Sequence, residues 1–253
     1  IEWKEFENQS VKRGIKNRRG WDKLWFEYAN SEIISNEFSK NKFDLDITPF
    51  DFNIEEFPFL KSYPSQFQPA GERYAWRYLD SFIQSRSIEY NKNISKPESS
   101  RHSCGRISTY LSWGNITSKQ IFQHVKNAQE YQTNKRNFGS FLTRLKWRSH
   151  FIQKFEVDCS YEKVCINNGY EQMIYPNDDF LLNQWKKGET GFPLVDACMR
   201  CLINNGWLNF RMRAMLVSFL CHYLEQNWRR GVYHMAKLFL DYEPGIHYPQ
   251  FQM

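Results

Sequence analysis

At 253 residues the chain is long enough for one large or two small domains, each with a full apolar core. It is rich in Trp, Tyr and Phe, and its formal charge of +6 is a moderate basic excess, compatible with a nucleic-acid face or an ordinary solvated surface. No apolar run reaches the roughly 18 residues of a membrane-spanning helix, no signal peptide opens the chain, and six irregularly spaced cysteines point to free thiols in the cytoplasm.

Residues 1–30 read as helical and amphipathic through Trp3, Phe6, Val11, Ile15, Trp21, Leu24, Trp25 and Tyr28. The basic run KRGIKNRRG inside them is either a phosphate-facing surface or, as the preferred reading, a solvated helix junction. From Ser31 to Pro69 four prolines (Pro49, Pro58, Pro64, Pro69) predict an irregular linker crossing the surface. Helical spacing returns in GERYAWRYLDSFIQS, through Tyr74, Tyr78, Leu79 and Phe82. The polar stretch Asn91–Ser103 predicts a loop leading into SCGRISTYL. There Cys104 and Gly105, small residues, come before Arg106 and Ser108 and an apolar helix of Ile107, Tyr110 and Leu111. Small residues at a helix start let a phosphate approach free N–H groups, although the residues alone suit a plain helix start equally well.

Phe138–Phe155 predicts another helix, apolar at Phe141, Leu142, Leu145 and Phe151, and the weakly patterned stretch to Gln184 predicts loops and a short helix. Pro193 then suits a first helical turn, Leu194, Val195, Met199 and Leu202 follow at helical spacing, and Asn204-Asn205-Gly206 predicts the helix end. Trp207–Leu224 is apolar on nearly all sides and predicts a central, buried helix. Arg211 and Arg213 sit near its start; a buried guanidinium requires a partner, and Asp241, Glu243 or an anionic ligand are the obvious ones. Cys198-x-x-Cys201 lies inside a helix, and no second pair completes a metal set, so these are read as core thiols with no metal. His150, His222 and His234 are read as core or surface residues.

The segment TGFPLVDACMRCL, followed by GW and RMR, then NWRRG and a helix ending in LDYE, closely resembles the FAD-binding domain of the photolyase/cryptochrome family, in a divergent bacterial-type form. That family shows TG(Y/F)P-(I/L)VDAAMRQL, GW(M/L)HNR-x-RM, DWR-x-G and an acidic loop beneath the flavin, in this order. The resemblance extends to the helix from Gly71, to SWGNITSKQ and to Trp147-Arg148. It implies an all-α fold in which residues 1–69 are N-terminal helices and a linker, and 70–253 are the helical FAD-binding domain. It further implies a missing N-terminal antenna domain carrying a light-harvesting chromophore, a flavin loop cut at Met253, and a monomer.

Carried over position by position, the resemblance assigns Cys104, Gly105, Arg106, Ile107 and Ser108 to the FAD pyrophosphate, where the family has T-S-R-L-S. It places Asp241 and Glu243 near the adenine and isoalloxazine, pairs Arg213 with Asp241, and adds Tyr90, Phe141, Arg148, Phe210 and His247 as flavin neighbours. Trp147, with Arg144 and Arg211, would face DNA carrying pyrimidine photoproducts; core packing is the other reading of Trp147. Several positions depart from the family. Arg144 replaces a glutamate and Phe210 an asparagine, while His247 stands where an asparagine faces flavin N5. Phe251 falls on the flavin-proximal tryptophan of the photoreduction chain, with Trp228 retained in the middle and Tyr175 outside. An imidazole at His247 could protonate a flavin radical near neutral pH. Implied is a light-dependent photolyase-like lyase acting by electron transfer from excited reduced flavin, or a cryptochrome-like blue-light photoreceptor without repair.

Overall fold

The computed structural model describes residues 19–34, 53–58 and 64–252, all of them in helices, turns or irregular segments. Twelve α-helices lie among them: α1 (Arg19–Asn30), α2 (Glu72–Gln84), α3 (Tyr90–Asn93), α4 (Ser99–Ser103), α5 (Ser108–Ser112), α6 (Ser118–Asn127), α7 (Lys135–Val157), α8 (Asp179–Lys187), α9 (Pro193–Asn205), α10 (Phe210–Ser218), α11 (Arg229–Leu238) and α12 (Pro244–Phe251). The fold is all-α. No helix among the described residues is long and apolar enough to cross a membrane.

Local chemistry accounts for the sharp ends. Thr117 caps α6 by accepting from the Gln120 N–H, while the Gln120 side chain accepts from the Thr117 N–H. Pro193 opens α9, and Gly206, at φ 68°, closes it. Leu240 N–H donates to the Gly206 carbonyl, and a Cβ at Gly206 would meet the Leu240 side chain at 2.5 Å. Only glycine suits that turn, which tethers the approach to Asp241.

The buried residues form two cores. The first gathers Trp21, Trp25, Leu79, Phe82, Tyr90, Tyr110, Ile121, Phe138, Phe141 and Leu145, with Trp207. The second gathers Trp185, Met199, Leu202, Leu216, Leu220, Trp228, Tyr248 and Phe251, among others. The 23 residues of α7, about 34 Å at 1.5 Å per residue, run past both. Its first half contributes Phe138, Phe141, Leu142 and Leu145 to the first core; its second half lies against α12, and Phe155 stacks on Tyr248. The N-terminal α1 belongs to the first core: Trp25 is fully buried, and the Trp21 indole donates to Gln153 on α7 at 2.7 Å.

Three segments differ from the sequence expectation. Helix is described only from Arg19, residues 1–18 and 35–52 lying outside the described residues, and Leu24 is exposed on α1. The stretch 91–103 forms two short helices, because the buried Asn209 amide donates to the carbonyls of Ile94 and Lys96 and to the Ser100 hydroxyl. That same Asn209 caps α10 through the Met212 N–H, so the helix starts at Phe210 instead of Trp207. It is also less buried than its composition suggests, with Phe210 half exposed and Arg211 exposed, and it widens into a π-turn over Phe219–Tyr223.

Candidate functional site

The two cores meet where Gly105–Thr109, Trp207–Arg213 and Asp241–Glu243 come together, and each of these segments brings charge into a largely buried place. Arg106 adopts φ 58°, a left-handed conformation that costs a non-glycine residue and recurs at ligand sites. Gln68, 3 % exposed, holds it at both ends: its amide donates to the Arg106 carbonyl at 2.9 Å, and its oxygen accepts from Arg106 Nε at 3.1 Å. The guanidinium lies 4.1 Å from the Trp207 ring centroid. Burial, together with the neighbouring Arg101 and Arg86, lowers its pKa to about 10, so it stays cationic at neutral pH. No carboxylate bridges Arg106 among the described residues.

Arg86, which sequence reasoning missed, shapes the turn leading to Arg106. Its guanidinium donates to the carbonyls of Cys104, Gly105 (3.3 Å) and Tyr78 (2.6 Å), and its Nε donates to the Ser81 hydroxyl. Burial pushes the Cys104 thiol up to about 11, with Arg106, Arg86 and Arg144 opposing, so it is a neutral thiol. Just beyond, the buried Thr109 Oγ1 has no hydrogen-bond partner among the described residues. Arg144 lies over the Trp147 ring at 4.8 Å, and its charge partly opposes the rise in pKa that burial imposes on the Tyr90 hydroxyl. The structure thus brings Arg144, Tyr90 and Phe141 to the same end of the first core as Cys104–Ser108; Tyr90 and Phe141 pack edge-on at 6.1 Å.

Across the junction the charges are matched. Arg213 donates to both Asp241 oxygens at 2.6 and 2.8 Å, with side chains only 11 % and 3 % exposed, and to the Leu208 carbonyl through Nε. Its guanidinium also sits 4.0 Å from the Phe239 ring. Arg148 on α7 reaches Glu243 at 3.6 Å and the Leu111 carbonyl at 3.3 Å, linking the Asp241–Glu243 segment to α5. Arg211, by contrast, is exposed and directed toward the Phe210 ring, so the paired-partner expectation applies to Arg213 and not to Arg211.

His247 requires a correction. It is 4 % exposed among Phe239, Tyr242, Tyr248 and Phe251, and its Nε2 hydrogen-bonds the Val232 carbonyl at 2.8 Å. Burial lowers its pKa to about 4, so it is neutral at pH 7, with Nε2–H the donor. An acid working near neutral pH is not what this environment makes. Phe251 packs 5.0 Å from His247, and the buried Trp228 indole donates to the Cys165 sulfur at 3.4 Å.

Residues 141–253 match the family described as the FAD binding domain of DNA photolyase. The chain is 34% identical over 176 residues to the deoxyribodipyrimidine photo-lyase of Alkalihalophilus pseudofirmus, covering 69% of this chain and 35% of that protein. It is 30% identical over 171 residues to cryptochrome-1 of Arabidopsis thaliana, covering 64% of this chain and 24% of the relative. The chain belongs to the photolyase/cryptochrome family. Among solved structures, an archaeal photolyase of Sulfolobus tokodaii, described as holding two FAD molecules, superimposes with a TM-score of 0.64 at 25% identity, covering 81% of this chain and 44% of that one. A class III photolyase of Agrobacterium tumefaciens shares the fold, with a TM-score of 0.70 at 23% identity, covering 75% and 39%. The chain therefore spans roughly a quarter to under a half of the length of these relatives.

FAD is the cofactor of this family domain, and the residues present fit it. Among the described residues, a buried cation with no carboxylate in direct contact and a buried hydroxyl without a partner, both in the turn into α5, are what a pyrophosphate would satisfy. The signals that could have found Arg86 and Gln68 were slight: one lies in an unpatterned SRS, the other in the linker just before Pro69. Trp207 was visible as part of the GW motif, but its place beneath Arg106 was not.

Proposed function

We propose that this chain is the FAD-binding part of a light-dependent, photolyase-like lyase acting on DNA pyrimidine photoproducts. The observation that carries the reading is Arg106, a desolvated guanidinium in a strained conformation beside the orphaned Thr109 hydroxyl. Arg106, Ser108 and the segment Cys104–Ile107 would hold the FAD phosphates. Asp241, positioned by Arg213, and Glu243, positioned by Arg148, would face the adenine and isoalloxazine. Tyr90, Phe141 and His247 would line the cavity, the last as a neutral hydrogen-bonding ring. When bound, FAD supplies the light absorption and the electron; the protein's part is binding, orientation and exclusion of water.

DNA would meet the exposed side chains of Trp147, Arg144, Phe210 and Arg211. Trp147 is 39 % exposed and Phe210 half exposed, so both offer rings to an extruded base without burial inside the fold. One observation favours the second reading, a cryptochrome-like photoreceptor. Arg144 stands in the glutamate position, stacked on Trp147, so it offers a cation where an acceptor for the lesion is expected.

The test mixes the FAD-loaded chain with a dimer-containing oligonucleotide under reducing conditions, in the dark and in blue light. Light-dependent restoration of intact pyrimidines supports the lyase. FAD uptake and photoreduction without any restoration favour the photoreceptor, and failure to take up FAD rejects both.

A further inference from the structure

Behind the acidic loop lies a hydrogen-bonded chain that none of these roles uses. The Tyr242 hydroxyl donates to the Tyr248 hydroxyl at 3.2 Å, and Tyr248 donates to Glu162 Oε1, also at 3.2 Å. Tyr242 sits between Asp241 and Glu243, and its ring is 5.3 Å from His247, which is itself 5.8 Å from Tyr248. Tyr248 is 2 % exposed, clamped by Phe155, which stacks on it at 5.8 Å and 14°. Glu162, in the turn after α7, is half-buried, so the chain runs from the proposed flavin loop toward solvent. Tyr233, 47 % exposed, lies edge-on to Tyr248 at 6.4 Å and gives a second way out.

A buried phenol donating to a carboxylate is suited to losing an electron and a proton together. Burial, followed by the hydrogen bond from Tyr242 and the nearby Glu162 charge, raises the Tyr248 pKa far above its ordinary value, so the free phenolate does not form. Oxidation of Tyr248 therefore has to deliver its proton to the group it already faces. Phe251, which the resemblance places at the flavin-proximal donor position, is a phenyl ring, much harder to oxidise than an indole or a phenol.

We propose that Tyr248 is a proton-coupled one-electron donor to light-excited FAD, with Glu162 as proton acceptor and Tyr242 as the phenol that supports it. In the step, the Tyr248 O–H bond breaks and an O–H bond forms on Glu162. The electron passes to the excited, oxidised flavin, so the phenol is oxidised by one electron and the flavin reduced by one. The tyrosine–glutamate pair goes from one negative charge to none, and the flavin gains that charge. This inference rests on the flavin reading above.

The experiment is flash photolysis of the FAD-loaded chain in H2O and D2O, followed by electron paramagnetic resonance of the trapped radical. The expected result is a neutral tyrosyl signal, absent in Tyr248→Phe, with flavin reduction slowed about tenfold or more. Glu162→Gln should slow it comparably and remove the deuterium effect. A readout without flavin uses photogenerated ruthenium(III) tris-bipyridine as oxidant of the FAD-free chain, where the Tyr248→Phe difference spectrum should again be tyrosyl. Tyr248→Phe keeps the stacked ring; should it fail to fold, the half-buried Glu162→Gln decides the matter by its rate and isotope effect alone. Unchanged flavin reduction in both variants overturns the inference and leaves the FAD reading standing, as does a tryptophanyl radical lost in Trp228→Phe. Failure to take up FAD at all overturns both.

Discussion

The two sides of the junction handle charge in opposite ways. On the first-core side, Arg86 and Arg106 are stabilised by carbonyls, an amide and an aromatic face. On the second-core side, Arg213 and Arg148 face carboxylates, and Arg213 does so with both oxygens. A buried cation with no carboxylate in direct contact has kept capacity for an anion, whereas a cation already neutralised has become part of the scaffold. The difference separates the place where a ligand binds from the frame that holds it.

The comparison can be broken most severely at Asp241. Asp241→Ala leaves Arg213 buried without its carboxylate and should destabilise the fold by about 3–5 kcal/mol, read as a lowered urea midpoint. If stability barely changed, the paired side would not be scaffold.

His247 tests the same side through pH. Its folded pKa of about 4 lies below the ordinary 6.5, so the unfolded chain takes up the proton first. Its contribution is complete above pH 6.5 and is lost as pH falls toward 4, by about 3 kcal/mol in all. Denaturant titrations at pH 7 and pH 4.5 should show this loss, and His247→Asn should reduce it.

Packing between α7 and α12 gives a smaller effect. A Cβ at Gly245 would meet the Ile152 Cα at 2.6 Å and the Phe151 carbonyl oxygen at 2.9 Å, both backbone atoms that cannot rotate away. Gly245→Ala should cost about 1–3 kcal/mol, seen as a lower melting temperature.

The smallest stability effect belongs to the dipole-supported side. Arg106→Gln should change folding stability by less than about 1 kcal/mol. It should nevertheless weaken FAD binding by about 1.5–3 kcal/mol, roughly ten- to a hundredfold, measured by fluorescence titration. A large folding cost without loss of FAD affinity would erase the distinction between the two sides.

Much of this was legible in the chain itself. Helical spacing, Pro193 at a helix start and Gly206 at its end mark α9 without any tertiary information, because these signals act over one or two turns. The ordered motifs from Thr190 to Glu243 identify the family domain, and the matched region begins at Phe141. What composition could not convey was the reach of single polar side chains. Asn209, more than a hundred residues away, turns an apparent loop into α3 and α4 and delays the start of α10.

The sequence by itself determined the longer helices, the family and the residue types of the candidate site, since period, capping and motif order are local properties. Tertiary structure alone decided the charge state of His247, the contacts of Arg86 and Arg106 and the Tyr242–Tyr248–Glu162 chain. Those depend on burial and on distances between groups far apart along the chain, and neither is encoded at any one position.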